Sequence, residues 1–285
     1  MIRPLILCAD DFGLTPGVNE AILDLCARGR LSGVSAMVTA PAWRADATRL
    51  RDFGGASGVE VGIHLCFSEF PPLTAAPSLA PGGRPRGQGR LLAAILAGRL
   101  RRREIVAEIA RQIETFAGAV GRLPDFLDGH HHAHQFPLLG RLVIEAIAAR
   151  APAWRPWLRV CADRPSGILG RGRGVLDAAT ASLLGQGLRR RARAAGIATN
   201  EGISGFYKVR EAASYAQIFP DFLRATGPRH LVVCHPGRCA DAAERARPWM
   251  ACREHEYAFL AGEDFAALCA RAGVRVATFA ETAAG

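Results

Sequence analysis

A chain of 285 residues, 49% of them apolar, is long enough for one large domain or two ordinary ones and can bury a sizeable core. Its formal charge of +10 invites a nucleic-acid reading, yet nearly all the cations are arginine, with Lys208 the single lysine. The densest basic runs, Arg99–Arg103 and Arg189–Arg193, contain no aromatic residue to stack on bases, so they read as solvated helix faces and no nucleic-acid partner is expected.

The first apolar run, Pro4–Ala9 (PLILCA), reads as a strand leading into Asp10-Asp11-Phe12-Gly13. Thr15 and Pro16 then supply an N-cap and a first helical residue. Val18, Ala21, Ile22, Leu25 and Cys26 follow at helical spacing, and Gly29 is placed to end that helix. Further strand candidates are Val34–Thr39, Val59–Leu65, Asp125–Asp128, Leu158–Ala162, Ile197–Asn200, His230–His235 and Val274–Phe279. Helical patterns fill most of the gaps, the clearest placing Ile105, Ile109, Ile113 and Phe116 on one face. The stretch from about residue 67 to 90, rich in Pro, Gly and Arg after Pro71, lacks periodicity and reads as a long surface loop. Asn200–Tyr207 reads as a loop with little true strand. Strands alternating with helices predict an α/β fold of predominantly parallel strands, a (β/α)-barrel-like or doubly wound sheet, in a single domain over residues 1–285.

The eight cysteines form no C-x-x-C pair, which argues against a disulfide framework or a zinc ribbon. Met1 leads into a strand-like run rather than the charged and apolar regions of a signal peptide, and no apolar run approaches the length of a membrane span. A cytoplasmic protein without a transmembrane segment is the expectation; the oligomeric state stays open, with a homodimer as one form.

The distribution of ionisable residues against this strand map is informative. Asp10 and Asp11 follow the first strand, and His64 ends the third in VGIHL. Asp128 and His130 end the fourth in LDGHHHAHQFP, and His235 ends another in LVVCHPG. In parallel α/β architectures the carboxyl ends of the strands carry the active site. Each residue alone has a plainer reading, as a turn residue, a helix cap or a solvated loop, but their convergence needs all those coincidences at once. A single divalent metal accounts for the set: Asp11, His64 and one histidine of the cluster are suitable ligands, leaving Asp10 and His235 for acid–base work.

The segment ADDFGLTPGVNEAI, the GIHL motif, LDGHHHAHQFP and the CHPG turn, spanning Ala9–Gly237 in that order, together resemble the YdjC-like carbohydrate deacetylases. That family includes chito-oligosaccharide deacetylases and the hopanoid-biosynthesis-associated deacetylase. The resemblance implies a (β/α)-barrel-like fold that binds one divalent metal, zinc or magnesium, and removes acetyl groups from N-acetylated sugars. It also implies Asp11, His64 and His130 as metal ligands, Asp10 as general base and His235 as proton donor to the departing amine. Arg159, Phe206 and Tyr207 fall in stretches similar to the family's substrate loops. Strand alternation, continued past Asp128, would put His130 and His132 on one side and His131 on the other. His132 is then a candidate for substrate contact or ligand support, His134 for ligand support, and His131 for packing or solvation. The alternatives are another barrel metallohydrolase such as a phosphoesterase, which usually gathers more ligands for more metals, and a basic nucleic-acid-binding protein.

Overall fold

Leu5 to Ala9 are apolar at every position, as suits a strand covered on both faces. The computed structural model, which describes residues 2–53, 58–208 and 215–283, places this segment at the centre of a parallel sheet. The strands are β1 (Arg3–Phe12), β2 (Gly33–Ala36), β3 (Glu60–Leu65), β4 (Phe126–Gly129), β5 (Trp157–Leu158), β6 (Gly202–Ser204), β7 (His230–Cys234) and β8 (Val274–Val276). They run in the order β5-β4-β3-β2-β1-β7-β6, with β8 pairing the first residues of β1, and every pairing is parallel. The ends of this path meet at one bridge, where Leu158 N donates to Ala198 O at 2.9 Å beside the Leu158–Thr199 pair. The architecture is the expected α/β, barrel-like one.

Strand alternation divides the interior. Leu5, Leu7, Ala9, Val61, Ile63 and Leu127 join the large core formed with the surrounding helices. Ile6, Cys8, Phe126, Trp157, Ile203 and Val233 cluster separately inside the curled sheet. Helix Pro16–Ala27 begins as expected, with Thr15 Oγ1 accepting from Val18 N at 3.3 Å and Pro16 in its first turn. Helix Arg102–Val120 buries Ile105, Ile109, Ile113 and Phe116. All eight cysteines are free, and no helix among the described residues is long and apolar enough to cross a membrane.

Several boundaries differ from the sequence reading. β1 runs on through Asp10 and Asp11 to Phe12. No strand forms over Ile197–Asn200, which contributes one bridge; the strand lies at Gly202–Ser204, inside the segment expected to be loop. Asn200 explains the displacement: its side-chain amide is committed to Val160 N, Val160 O and Gly202 O, which fastens the chain laterally before a ladder can start. The 67–90 loop is anchored rather than free, with Glu108 accepting from Leu73 N and Thr74 N and Glu104 from Ser78 N. A helix, Gln88–Leu96, already begins within it. Of the arginine runs, Arg101 and Arg102 pair at the surface with Glu104 and Glu145. Arg189, by contrast, is partly buried and donates to the carbonyls of Ala162 and Glu201, so that run is not wholly a solvated face.

Candidate active site

The alternation that buries Ile6 and Cys8 inside the sheet continues to Asp10, two residues on. Counting the same way from Gly62, Phe126, Trp157 and Val233 reaches His64, Asp128, Arg159 and His235. The carboxyl ends of five strands thus present ionisable side chains to one space above an apolar floor. Asp11 has the opposite parity and would face the helices. Its left-handed backbone (φ 69°), at a register irregularity between Ala9 and Phe12, turns it back toward the same space.

At the bottom of the site Arg159, fully buried, holds two carboxylates. Its Nη1 and Nη2 donate to Asp10 Oδ1 and Oδ2 at 2.7 and 2.8 Å, and Nη2 lies 2.6 Å from Asp128 Oδ2. Burial by itself would raise the Asp10 pKa. Arg159 opposes this most strongly, with His64 and His235 adding to it, and the balance holds the carboxyl at about 2. Arg159 is therefore a support for Asp10 with no exposed surface for substrate.

Asp128 also fixes His64. Its Oδ1 accepts from His64 Nδ1 at 2.6 Å and from Ser35 Oγ at 2.5 Å. His64 Nε2 is left facing Asp11 Oδ1 at 3.5 Å. The same Asp11 oxygen lies 3.0 Å from His130 Nδ1, while Asp11 Oδ2 accepts from Arg253 Nη2 at 2.5 Å. Burial again works against the charge on Asp11, but Arg253, His130 and His64 hold its pKa well below the usual carboxylate range. His130 is disfavoured as a cation by burial, yet Asp11 and Glu69 push its pKa well above 6.5.

Asp11, His64 and His130 can each offer a ligand atom within 4.8 Å of the others, and all three are buried. The donor set fits a divalent ion: one carboxylate and two imidazoles, with the remote nitrogen of His64 already occupied by a carboxylate, the usual support of a metal-binding histidine.

The histidine run does not continue β4. Gly129 ends the strand, and residues His130–Gln135 form a kinked turn interrupted by left-handed backbone at His131 and His132 (φ 54° and 55°). Simple alternation therefore fails: the His130 and His131 rings lie 3.9 Å apart, tilted by 39°, and both face Glu69. Burial, aided by the neighbouring His130 charge, lowers the His131 pKa to about 4. His132 turns the other way, against Phe206 at 5.4 Å, and is kept neutral by burial and by Arg159. His134 is buried, its Nε2 donating to Arg159 O at 2.9 Å.

His235 stands at the rim, with 37% of its side chain exposed and Nε2 3.9 Å from Asp10 Oδ2. It lines a cavity of about 240 Å³ with Phe206, Tyr207, Trp249, Arg253 and His132. A second cavity of about 540 Å³ adjoins it across His132 and Phe206. Gly205 sets up this wall: its φ of +104° suits glycine, and a Cβ there would lie 2.2 Å from Val233 O.

Four residues with a part in this geometry were given no role by sequence reasoning. The sequence marks Asp128 only as a strand end. Glu69 lies in the aperiodic loop. Arg253 and Glu256, together with Trp249, recur at spacings of four and three in WMACREHEY, which is the one sequence signal that they share a helix face. Glu256 is buried and accepts from Tyr207 Oη at 2.5 Å and His235 N at 2.6 Å, so it ties the two rims of the cavity together.

Comparison with known proteins agrees with the motifs. The chain is similar to a chitooligosaccharide deacetylase from Escherichia fergusonii, 35% identical over 156 residues, which are 54% of this chain and 60% of that relative. A chitooligosaccharide deacetylase from Enterobacter sp. (strain 638) is 33% identical over the same proportions. The matched region is thus under two thirds of these curated relatives. A crystal structure from Enterococcus faecalis V583, of a protein provisionally assigned to cellobiose-phosphate cleavage, superposes with a TM-score of 0.71. It is 21% identical and covers 99% of both chains, which establishes the shared fold. The family model described as YdjC-like protein matches residues 4–271, nearly the whole length, and the chain belongs to that family.

Proposed function

We propose that this chain is a metal-dependent carbohydrate N-deacetylase, hydrolysing the acetamide of an N-acetylated amino sugar carried on an oligosaccharide or a glycolipid. The observation that carries this reading is the buried Asp11–His64–His130 group sharing its strand ends with an ionised Asp10 and a rim histidine, His235. The similarity to chitooligosaccharide deacetylases supplies the reaction class. One domain over residues 1–285 carries the reaction in this reading.

Asp11, His64 and His130 would hold one divalent ion; two imidazoles suit zinc, and magnesium is the other candidate. When bound, such an ion supplies Lewis acidity toward the acyl oxygen and toward water. Asp10 accepts the proton of the attacking water. Its pairing with Arg159 makes it a weak base but keeps it ionised and fixed in direction, which is what a water-orienting carboxylate requires. His235, exposed on the cavity side, donates a proton to the departing amine so that acetate and the free amino sugar separate. Trp249, Phe206 and Tyr207 give the cavity apolar faces that a pyranose ring can lie against.

The test is acetate release from N-acetylglucosamine oligomers and from a hopanoid glycolipid, with and without chelator. Activity is expected to vanish with chelator and return with a divalent ion. His64→Ala is expected to lose both metal and activity, while Asp10→Asn keeps the metal and loses about 10²–10⁴ in rate. Full activity in metal-free protein, or a His64→Ala variant that keeps both metal and rate, contradicts the reading.

A further inference from the structure

The two imidazoles of the candidate metal group are held in matching ways. His64 faces Asp11 with Nε2 and donates from Nδ1 to Asp128 at 2.6 Å. His130 faces Asp11 with Nδ1, at 3.0 Å, and meets Glu69 Oε2 with Nε2 at 2.9 Å. The two nitrogens of an imidazole point to opposite sides, so Glu69 reaches the Asp11 group only through the His130 ring.

Glu69 is also presented by backbone that is pinned on either side. Cys66 exchanges two bonds with Gln112, Ser68 O accepts from Gly87 N at 3.0 Å, and Thr74 is fixed to Glu108. Its carboxylate is 43% exposed and also lies 3.6 Å from His131 Nε2. The long Pro/Gly-rich loop after His64 is therefore an anchored arm that delivers one carboxylate to the outer nitrogen of His130.

We infer that Glu69 is a positioning residue for the metal centre, fixing the ring orientation and tautomer of His130 so that Nδ1 is the ligand nitrogen. This rests on the metal site proposed above. It assigns a function to the 67–90 loop and distinguishes the two imidazoles: His64 is oriented from within the sheet, His130 by a loop that can vary independently. Outer carboxylates of this kind contribute about 10–100-fold to metal affinity or activity.

The experiment is a calorimetric zinc titration, in competition with a chelator of known affinity, on the intact protein and on Glu69→Ala, Glu69→Gln and His64→Ala. Metal-free melting temperatures are measured alongside. Glu69→Ala is expected to weaken zinc about 10–100-fold with little change in metal-free melting, and Glu69→Gln, whose amide oxygen still accepts from Nε2–H, to recover part of the loss. Unchanged affinity in Glu69→Ala overturns the inference. So does loss of binding as complete as in His64→Ala, which would make Glu69 a ligand itself, or a Gln variant as impaired as the Ala one. Absence of zinc binding in the unmodified protein would remove the metal site and this inference together, whereas a bound ion indifferent to Glu69 would leave the site standing.

Discussion

Replacing Arg159 by methionine removes a fully buried guanidinium while keeping most of the side chain's bulk. Three contacts of 2.6–2.8 Å to Asp10 and Asp128 disappear, and two carboxylates with 2% exposure or less lose their cation. Breaking a buried ion pair from one side costs about 3–5 kcal/mol, because the remaining charge stays desolvated. In a protein of 285 residues that is about 5–8 °C in melting temperature.

The loss must also depend on pH. In the intact protein the Asp10 pKa, about 2, lies below its ordinary 3.8, so its contribution to stability is complete above 3.8 and is lost as pH falls through 2. Without Arg159, burial acts with its main opponent gone and the carboxyl pKa rises above the unfolded value. The variant then gains stability, relative to neutral pH, as acid protonates the carboxyl. The gap between the two proteins is therefore widest near pH 7 and narrows toward pH 4. Circular-dichroism melts at pH 7.5 and 4.5, in chelator so that metal binding does not intervene, measure both effects. A gap below about 3 °C at pH 7.5, or an equal gap at both pH values, would refute the assignment of Arg159 as the counter-ion of this site.

Glu256→Gln weakens the tie between His235 N and Tyr207 Oη, so kcat for acetate release is expected to fall about tenfold or more with KM changed less, as steady-state kinetics would show. His230 is buried against Ser204, and burial, then Arg171 and Arg3, depress its pKa from 6.5 to about 3. Its stabilising contribution is full above pH 6.5 and is lost as pH falls from there through 3, by roughly 5 kcal/mol at most. A His230→Gln variant should show a flatter fall in melting temperature between pH 6.5 and 4, and an unchanged slope would dismiss His230 as a source of acid sensitivity.

Much of the fold was legible because short apolar runs alternating with longer helical patterns are the mark of parallel βαβ units. The positions of Asp10, His64, Asp128 and His235 at strand ends followed from those runs directly. What local pattern could not supply is where chains are fastened sideways, as at Asn200, or where backbone leaves its regular conformation, as at Asp11 and through His130–Gln135. The alternation expected for the three consecutive histidines failed for that second reason.

By itself the sequence determined the parity of each strand. A polar residue two positions beyond an inward apolar one must face the same side, so Cys8 and Asp10, or Phe126 and Asp128, were bound together by pleat geometry. Which charge meets which was decided only when the sheet closed. Arg159 could reach Asp10 and Asp128 only once their strands lay around one interior, and Glu69, Arg253 and Glu256 arrive from a loop and a helix whose docking no short-range periodicity encodes. Local stereochemistry fixes the direction of a side chain along its own element. The identity of its partner, and hence its protonation and its chemistry, belongs to contacts between residues as distant in the chain as Asp11 and Arg253.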